Sequence, residues 1–252
     1  MLRGRLALSI AVLAACVNAE EDYRRMREVM DKWEYTWDPV KVTTEDGFIL
    51  TTFHVTGNSS GKFTPTKPPV LIQHGDYGDG AGWLRYYPVG KPMHLQLADD
   101  GYDVWIGNNR GTNYSQERTD DLKPTDEAYW NWSWAQMGIY DDVANIKAIK
   151  EQSGAEKVFY LGYSQGTVQM FYALAHLEDS FFVDNLYKFL AFAPCTISPE
   201  DGPESYWLDN LYDFQSIGVY GLYGDSARWD EDKAKICSQL SEEACSMVQG
   251  SY

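Results

Sequence analysis

The chain has 252 residues, 44% of them hydrophobic and 23% charged, with a formal net charge of −16 at pH 7. That balance excludes a disordered or collagen-like polymer and makes one globular domain the default. The acidity argues against nucleic acid as a partner, since phosphate binding needs clustered Lys and Arg, and against docking on anionic membranes; a solvated acidic surface is its plainer meaning.

The chain opens with Arg3 and Arg5, an apolar run from Leu6 to Cys16, and the small-residue ending Val17-Asn18-Ala19. Residues 1–19 therefore read as a signal peptide, because the apolar run is far short of the ~20 residues that span a bilayer. No other stretch is long enough to span, so the expected location is the secretory pathway: secreted, or the lumen of a lysosome or digestive vacuole. Removing Arg3 and Arg5 with the leader leaves 19 basic against 37 acidic residues.

From Glu20 to Lys32 the charged pattern predicts an exposed entry helix. Val40–Thr44 and Phe48–Val55 are β-rich runs around Glu45-Asp46-Gly47, a hairpin signal because Gly supplies the positive φ that such a turn needs. After a loop over Gly57–Pro69, the buried strand Val70–His74 stops at Gly75, and a Gly/Asp/Tyr loop runs through Gly82. A helix over Met93–Asp100 leads to a strand at Tyr102–Gly107 and a turn at Asn108-Asn109-Arg110-Gly111. Residues 141–152 predict an amphipathic helix through Val143, Ile146 and Ile149. A strand at Val158–Gly162, a helix at Thr167–Leu177 and a strand at Phe189–Ala193 follow. An antiparallel start followed by alternating strands and helices predicts an α/β fold with a mostly parallel sheet covered on both faces. From Pro194 the pattern turns to Tyr, Trp, Asp and Gly, so residues 20–195 read as the core and 196–252 as the start of a lid.

Without Cys16, three cysteines remain: Cys195, Cys237 and Cys245. Cys237 and Cys245 are close enough to close a small loop in an oxidising compartment, which leaves Cys195 free. Three sequons become usable behind a signal peptide: Asn58-Ser59-Ser60, Asn113-Tyr114-Ser115 and Asn131-Trp132-Ser133. Asn58 is the best candidate, in its polar loop, with Asn113 next. Asn131 sits among tryptophans and is expected to be too buried. No His/Cys cluster has ligand spacing, so neither metal nor cofactor is implied.

Gly162-Tyr163-Ser164-Gln165-Gly166 is a weak pattern alone, but here it follows a hydrophobic strand and opens a helix. A nucleophile elbow needs that context. Its turn is so tight that side chains at 162 and 166 would collide, and Ser164 is held strained and exposed at the positive end of the helix dipole.

Residue by residue the chain resembles the acid lipase family, the gastric and lysosomal lipases. Thr44–Leu50 is similar to their opening hairpin, Gln73-His74-Gly75 to their oxyanion strand end, and Gly101–Gly111 to their next strand and turn. Tyr129–Trp134, with Met137 and Tyr140-Asp141, is similar to their aromatic block, while Tyr163 stands where many members have His. The matches run in order from about residue 38 to 195. The resemblance implies an α/β-hydrolase, here its N-terminal part, whose oxyanion hole uses the backbone N–H groups of Gln165 and Asp76. Many members carry an apolar residue at 76, and a carboxylate there is unfavourable unless it points to solvent or is protonated.

The fold places its triad in the order Ser, acid, His. Only His176 follows Ser164, at the far end of the helix, roughly 18 Å away at 1.5 Å per residue. His54, His74 and His94 precede it, and His74 reads as a loop-shaping residue. Trp130, Trp132 and Trp134 read as sheet-edge packing. The chain as written is therefore expected to be close to inactive, with the acid and His carried beyond residue 252. The reading is a lipase or esterase acting on neutral lipids at a lipid–water interface through a Ser164 acyl-enzyme. Alternatives are a hydrolase of soluble esters or peptides and a catalytically dead lipid-binding homologue.

Overall fold

The computed structural model describes residues 23–76, 78–85, 90–196 and 237–238. The signal-peptide expectation lies outside these residues, as does the lid expectation apart from residues 196, 237 and 238.

Helix α1 (Arg24–Trp33) buries Met26, Val29 and Met30, the i, i+3, i+4 stripe of an amphipathic helix, and Glu34 ends it in the left-handed region. Strands β1 (Tyr35–Thr43) and β2 (Phe48–Asn58) form the antiparallel hairpin, with Gly47 at φ 90° in the turn. Further along come β3 (Gly61–Lys62), β4 (Lys67–Gln73), helices α2 (Gly80–Arg85) and α3 (Met93–Asp99), β5 (Tyr102–Ile106) and β6 (Glu117–Arg118). A 3-10 turn at Glu127–Trp130 precedes α4 (Trp134–Gln136), which passes through a π-helical segment at Met137–Asp142 into α5 (Val143–Ser153). Strand β7 (Val158–Tyr163), α6 (Gln165–His176), α7 (Asp179–Asn185) and β8 (Leu186–Phe192) complete the described elements.

The sheet order is β1-β2-β5-β4-β7-β8, with β3 and β6 also paired to β2. Strands β5, β4, β7 and β8 are parallel. Central strand β4 is buried on both faces: Ile72 joins Met26, Phe53, Leu95 and Ile106 on one side, while Leu71 joins Trp105, Ile146, Tyr160 and Met170 on the other. That two-sided burial explains the continuous apolar run Val70-Leu71-Ile72, as the two-residue strand period requires. The carboxyl ends of β4 and β7 lie side by side, with Gln73 paired to Gly162, and this is the edge where open α/β sheets place ligands.

Several local expectations are corrected. Strand β1 begins at Tyr35 rather than Val40 and tolerates Pro39 because it is an edge strand. Asn58 is the last residue of β2 rather than part of a long loop, and β4 starts at Lys67 despite two prolines. Helix α2 opens inside the expected Gly-rich loop because the Asp79 carboxylate accepts the Gly82 N–H at 2.7 Å, as an N-cap does. Helix α7 and the π-helical segment were not foreseen. Asn131 is exposed, not buried: Trp130 and Trp132 turn inward and leave it outside.

Candidate active site

Ser164 occupies the turn between β7 and α6, at φ 50° and ψ −114°. A non-glycine residue holds such a backbone only when its surroundings over-determine it. They do so here. The Ser164 N–H donates to the Phe192 carbonyl at 3.0 Å, and its own carbonyl accepts from the Thr167 N–H at 2.8 Å and the Thr167 hydroxyl at 2.6 Å. A β-carbon on Gly162 would collide with the Gly166 carbonyl oxygen, and one on Gly166 would lie 2.7 Å from the Gln73 carbonyl oxygen. Both glycines are thus required by backbone atoms, not by each other's side chains.

Gly75, just past the end of β4, packs on this turn: a β-carbon there would sit 3.0 Å from the Ser164 Cβ and 2.9 Å from the Tyr163 ring. Its neighbour Asp76 is exposed, and its charge acts on the buried His74 ring. Gln165 is the first residue of α6, and the N–H groups of a first helical turn have no partner within the helix. The positive end of the helix dipole therefore meets the end of β4 around Ser164. Tyr163 is 41% exposed and lies 5.2 Å from Trp83, which forms an aromatic wall beside the serine.

Beneath the turn lies a buried polar layer. Arg110 is fully enclosed between Asp141, to which Nε donates at 2.8 Å and Nη2 at 2.7 Å, and Asp46, which takes both Nη groups at 2.6 and 2.8 Å. Burial drives the Asp141 carboxyl up to about 6 against the pull of Arg110. Burial also opposes ionisation of Asp46, but its bonds from Arg110 and Thr44 outweigh it and hold that carboxyl below its ordinary value. Asp142, buried beside Asp141 with no cation of its own, is pushed well above the usual carboxylate range, by burial first. The sequence offered little sign of this layer beyond Tyr140-Asp141.

None of the four histidines hydrogen-bonds Ser164; three are held by other partners and His94 is buried without one. The buried His74 ring has Nδ1 2.7 Å from the Gly75 carbonyl and accepts the Asn109 N–H at Nε2, so it shapes the loop. His54 pairs with Asp103 at 2.6 Å and stacks on Trp105. His94 is buried edge-on to Trp83 with neither ring nitrogen bonded, and burial pushes it down to about 3. His176 bonds the Tyr172 carbonyl at the far end of α6. Among the described residues Ser164 Oγ contacts the free Cys195, 3.9 Å away. Cys237 is disulfide-bonded, and Cys245 lies outside the described residues.

Asn58 is half-buried, its side chain accepting the Ser60 N–H. In the Asn113 sequon, Ser115 is fully buried, bonded to Thr51 and Asn108. Trp130 and Trp132 pack against Phe48 and Tyr129 at the sheet edge, whereas Trp134 is exposed against Tyr172. No helix among the described residues is long and apolar enough to cross a membrane.

Residues 68–182 match the family described as the alpha/beta hydrolase fold, and residues 26–86 match the partial alpha/beta-hydrolase lipase region. Lipase lipl-5 of Caenorhabditis elegans is 37% identical over 200 residues, covering 78% of this chain and 49% of that protein. Lipase member K of Mus musculus is 33% identical over 228 residues, 87% of this chain and 55% of that one. The chain belongs to an acid lipase-like family. It has the α/β-hydrolase fold, here with the antiparallel hairpin leading into a parallel sheet. This acid lipase-like chain spans about half the length of the curated relatives it matches. Among solved structures, an esterase of Pyrococcus furiosus, Pf2001, is 16% identical with a TM-score of 0.47, covering 87% of this chain and 62% of that one.

Proposed function

We propose that this chain carries the nucleophile and oxyanion-binding half of a lipase or esterase. Ser164 Oγ attacks the carbonyl carbon of a neutral lipid ester, the oxyanion is held by the N–H groups of Gln165 and Asp76, and the alcohol leaves to give an acyl-enzyme that water hydrolyses. The observation that carries the reading is the strained Ser164 backbone at the head of α6 with Gly75 packed against it. No histidine hydrogen-bonds Ser164, so the general base and its acid partner are proposed to come from the remainder of the whole protein, and this chain alone to be close to inactive. The disulfide partner of Cys237 is proposed to be Cys245, residues 20–195 the core, residues 1–19 a leader into the secretory pathway, and 196–252 the start of a lid that opens at a lipid–water interface.

Hydrolysis of emulsified triacylglycerol against a soluble short-chain ester, by the full-length protein and its Ser164→Ala variant, tests the reading. Loss of emulsion activity in the variant supports it. Activity on soluble esters alone moves the assignment to a soluble-ester hydrolase. No hydrolysis of either, with retained lipid binding, supports the second reading, a catalytically dead lipid-binding homologue, which the absence of a histidine hydrogen-bonded to Ser164 among the described residues favours.

A further inference from the structure

The two candidate oxyanion donors belong to segments that are joined underneath by one unbroken run of buried hydrogen bonds. It starts at the Gly75 carbonyl, which accepts from His74 Nδ1–H; Nε2 of that ring accepts the Asn109 N–H at 3.1 Å. The side-chain amides of Asn109 and Gln169 then face each other, Asn109 Nδ2 donating to Gln169 Oε1 at 2.9 Å and Gln169 Nε2 donating back at 3.1 Å. The second Gln169 N–H donates to Asp142 Oδ1 at 2.7 Å. Finally the Tyr160 hydroxyl lies 3.1 Å from Asp142 Oδ2 and 2.9 Å from the Gly166 carbonyl.

Proton counting at the last step decides the chemistry. Tyr160 has one hydroxyl hydrogen and faces two acceptor groups, the Asp142 carboxyl and the Gly166 carbonyl. If Asp142 were a carboxylate, one contact would be oxygen against oxygen with no hydrogen between. A hydrogen on Asp142 satisfies both: Asp142 donates to Tyr160 and Tyr160 donates to Gly166. We propose that Asp142 is a positioning residue held as a neutral carboxylic acid, completing a proton-ordered chain that ties the Gly75–Asp76 strand end to the Gly166 elbow and fixes the spacing of the two oxyanion donors. Its catalytic consequence rests on the Ser164 reading, while its protonation does not. The surroundings agree. Asp142 is fully buried, the charge acting on it is that of Asp141, and the Arg110 guanidinium is taken up by Asp141 and Asp46. Tyr160, likewise buried, is held well above its ordinary value and keeps its hydrogen.

The titratable groups around it are Asp141 from the same segment, Tyr160 from β7, Arg110 and Asp46 through Asp141, and His74 through Asn109. Because the folded Asp142 holds its proton above the unfolded value, its contribution to stability is complete below the ordinary value of 3.8 and is lost progressively as pH rises from there through the folded value. Infrared difference spectra and thermal unfolding of the full-length protein, wild type against Asp142→Asn, Asp142→Ala and Tyr160→Phe, test this without turnover. The expected result is a protonated-carboxyl C=O band at pH 7 that vanishes in D142N and shifts in Y160F. Asn replaces the acid's donor and acceptor without a titrating proton, so the Tm of D142N gains on wild type between pH 5 and pH 8, whereas D142A falls by roughly 5–10 °C at pH 5. Should D142N not fold, the wild-type band and its Y160F shift still decide. Absence of that band at pH 7, or a D142N loss equal to that of D142A, overturns the proposal.

Discussion

Gly75 and Ser164 touch across the ends of two neighbouring parallel strands, so close that a β-carbon on the glycine would lie 3.0 Å from that of the serine. Nothing larger than hydrogen fits there without moving the serine or the Tyr163 ring. Gly75→Ala is therefore expected to slow phosphonate labelling of Ser164 in the full-length protein by at least about tenfold, while costing ~1–3 kcal/mol of stability, the usual cost of overpacking. Paired labelling rates and denaturant melts check it. Labelling at the wild-type rate would mean that this contact does not position the serine.

Gly162→Ala and Gly166→Ala meet rigid backbone rather than a movable side chain, at the Gly166 and Gln73 carbonyls respectively. Each should cost more than G75A, about 3 kcal/mol or above, since neither the head of α6 nor the end of β4 can yield without breaking backbone hydrogen bonds. Urea midpoints of the three variants give the ranking, and G75A emerging as the most destabilising would contradict it.

Arg110 and its two aspartates differ in exposure, and the difference fixes the cost of breaking each pair. Arg110→Met strands the fully buried Asp141 and should cost ~3–5 kcal/mol at pH 7, the penalty of an uncompensated buried charge. Asp46→Asn, at the more open end, should cost on the order of 1 kcal/mol. Losing Arg110 removes the pull that holds Asp141 down to about 6, so in R110M the carboxyl rises further and the penalty should shrink as pH falls toward 6 and level off below it. A pH-independent penalty in chemical denaturation would contradict that assignment.

How much of this was legible beforehand depended on how local each signal was. The Gly47 turn, the apolar run of β4 and the strand–glycine–helix context of Ser164 are written in neighbouring residues, and the hairpin and parallel sheet followed from them. The buried layer of His74, Asn109, Gln169, Asp142 and Tyr160 draws on residues up to about a hundred positions apart, so no periodicity reveals it. Asp79 escaped notice because capping residues look like ordinary loop acids until the helix behind them is seen. Asn131 misled because adjacent tryptophans were assumed to bury it, when they turned inward and left it exposed.

His94 supplies an acid-sensitive limb opposite in sign to that of Asp142. Its ring is buried without a partner at either nitrogen, and burial holds it down to about 3, so the unfolded chain binds the extra proton first. Stability attributable to the neutral ring is present above the ordinary value of 6.5 and declines as pH falls below it. His94→Leu is expected to gain on wild type by about 2–3 kcal/mol between pH 7 and pH 4.5, at 1.36 kcal/mol per unit. Parallel pH curves in denaturant titrations would show that the ring does not carry this limb.

The most direct test of the central claim is mass-spectrometric mapping of a fluorophosphonate adduct on the native full-length protein, wild type beside Ser164→Ala. A single adduct on the peptide carrying Ser164, absent from the variant, is the expected result. A folded protein that takes up no adduct would contradict it and support the dead lipid-binding reading, and an adduct on another serine would contradict it by moving the nucleophile elsewhere.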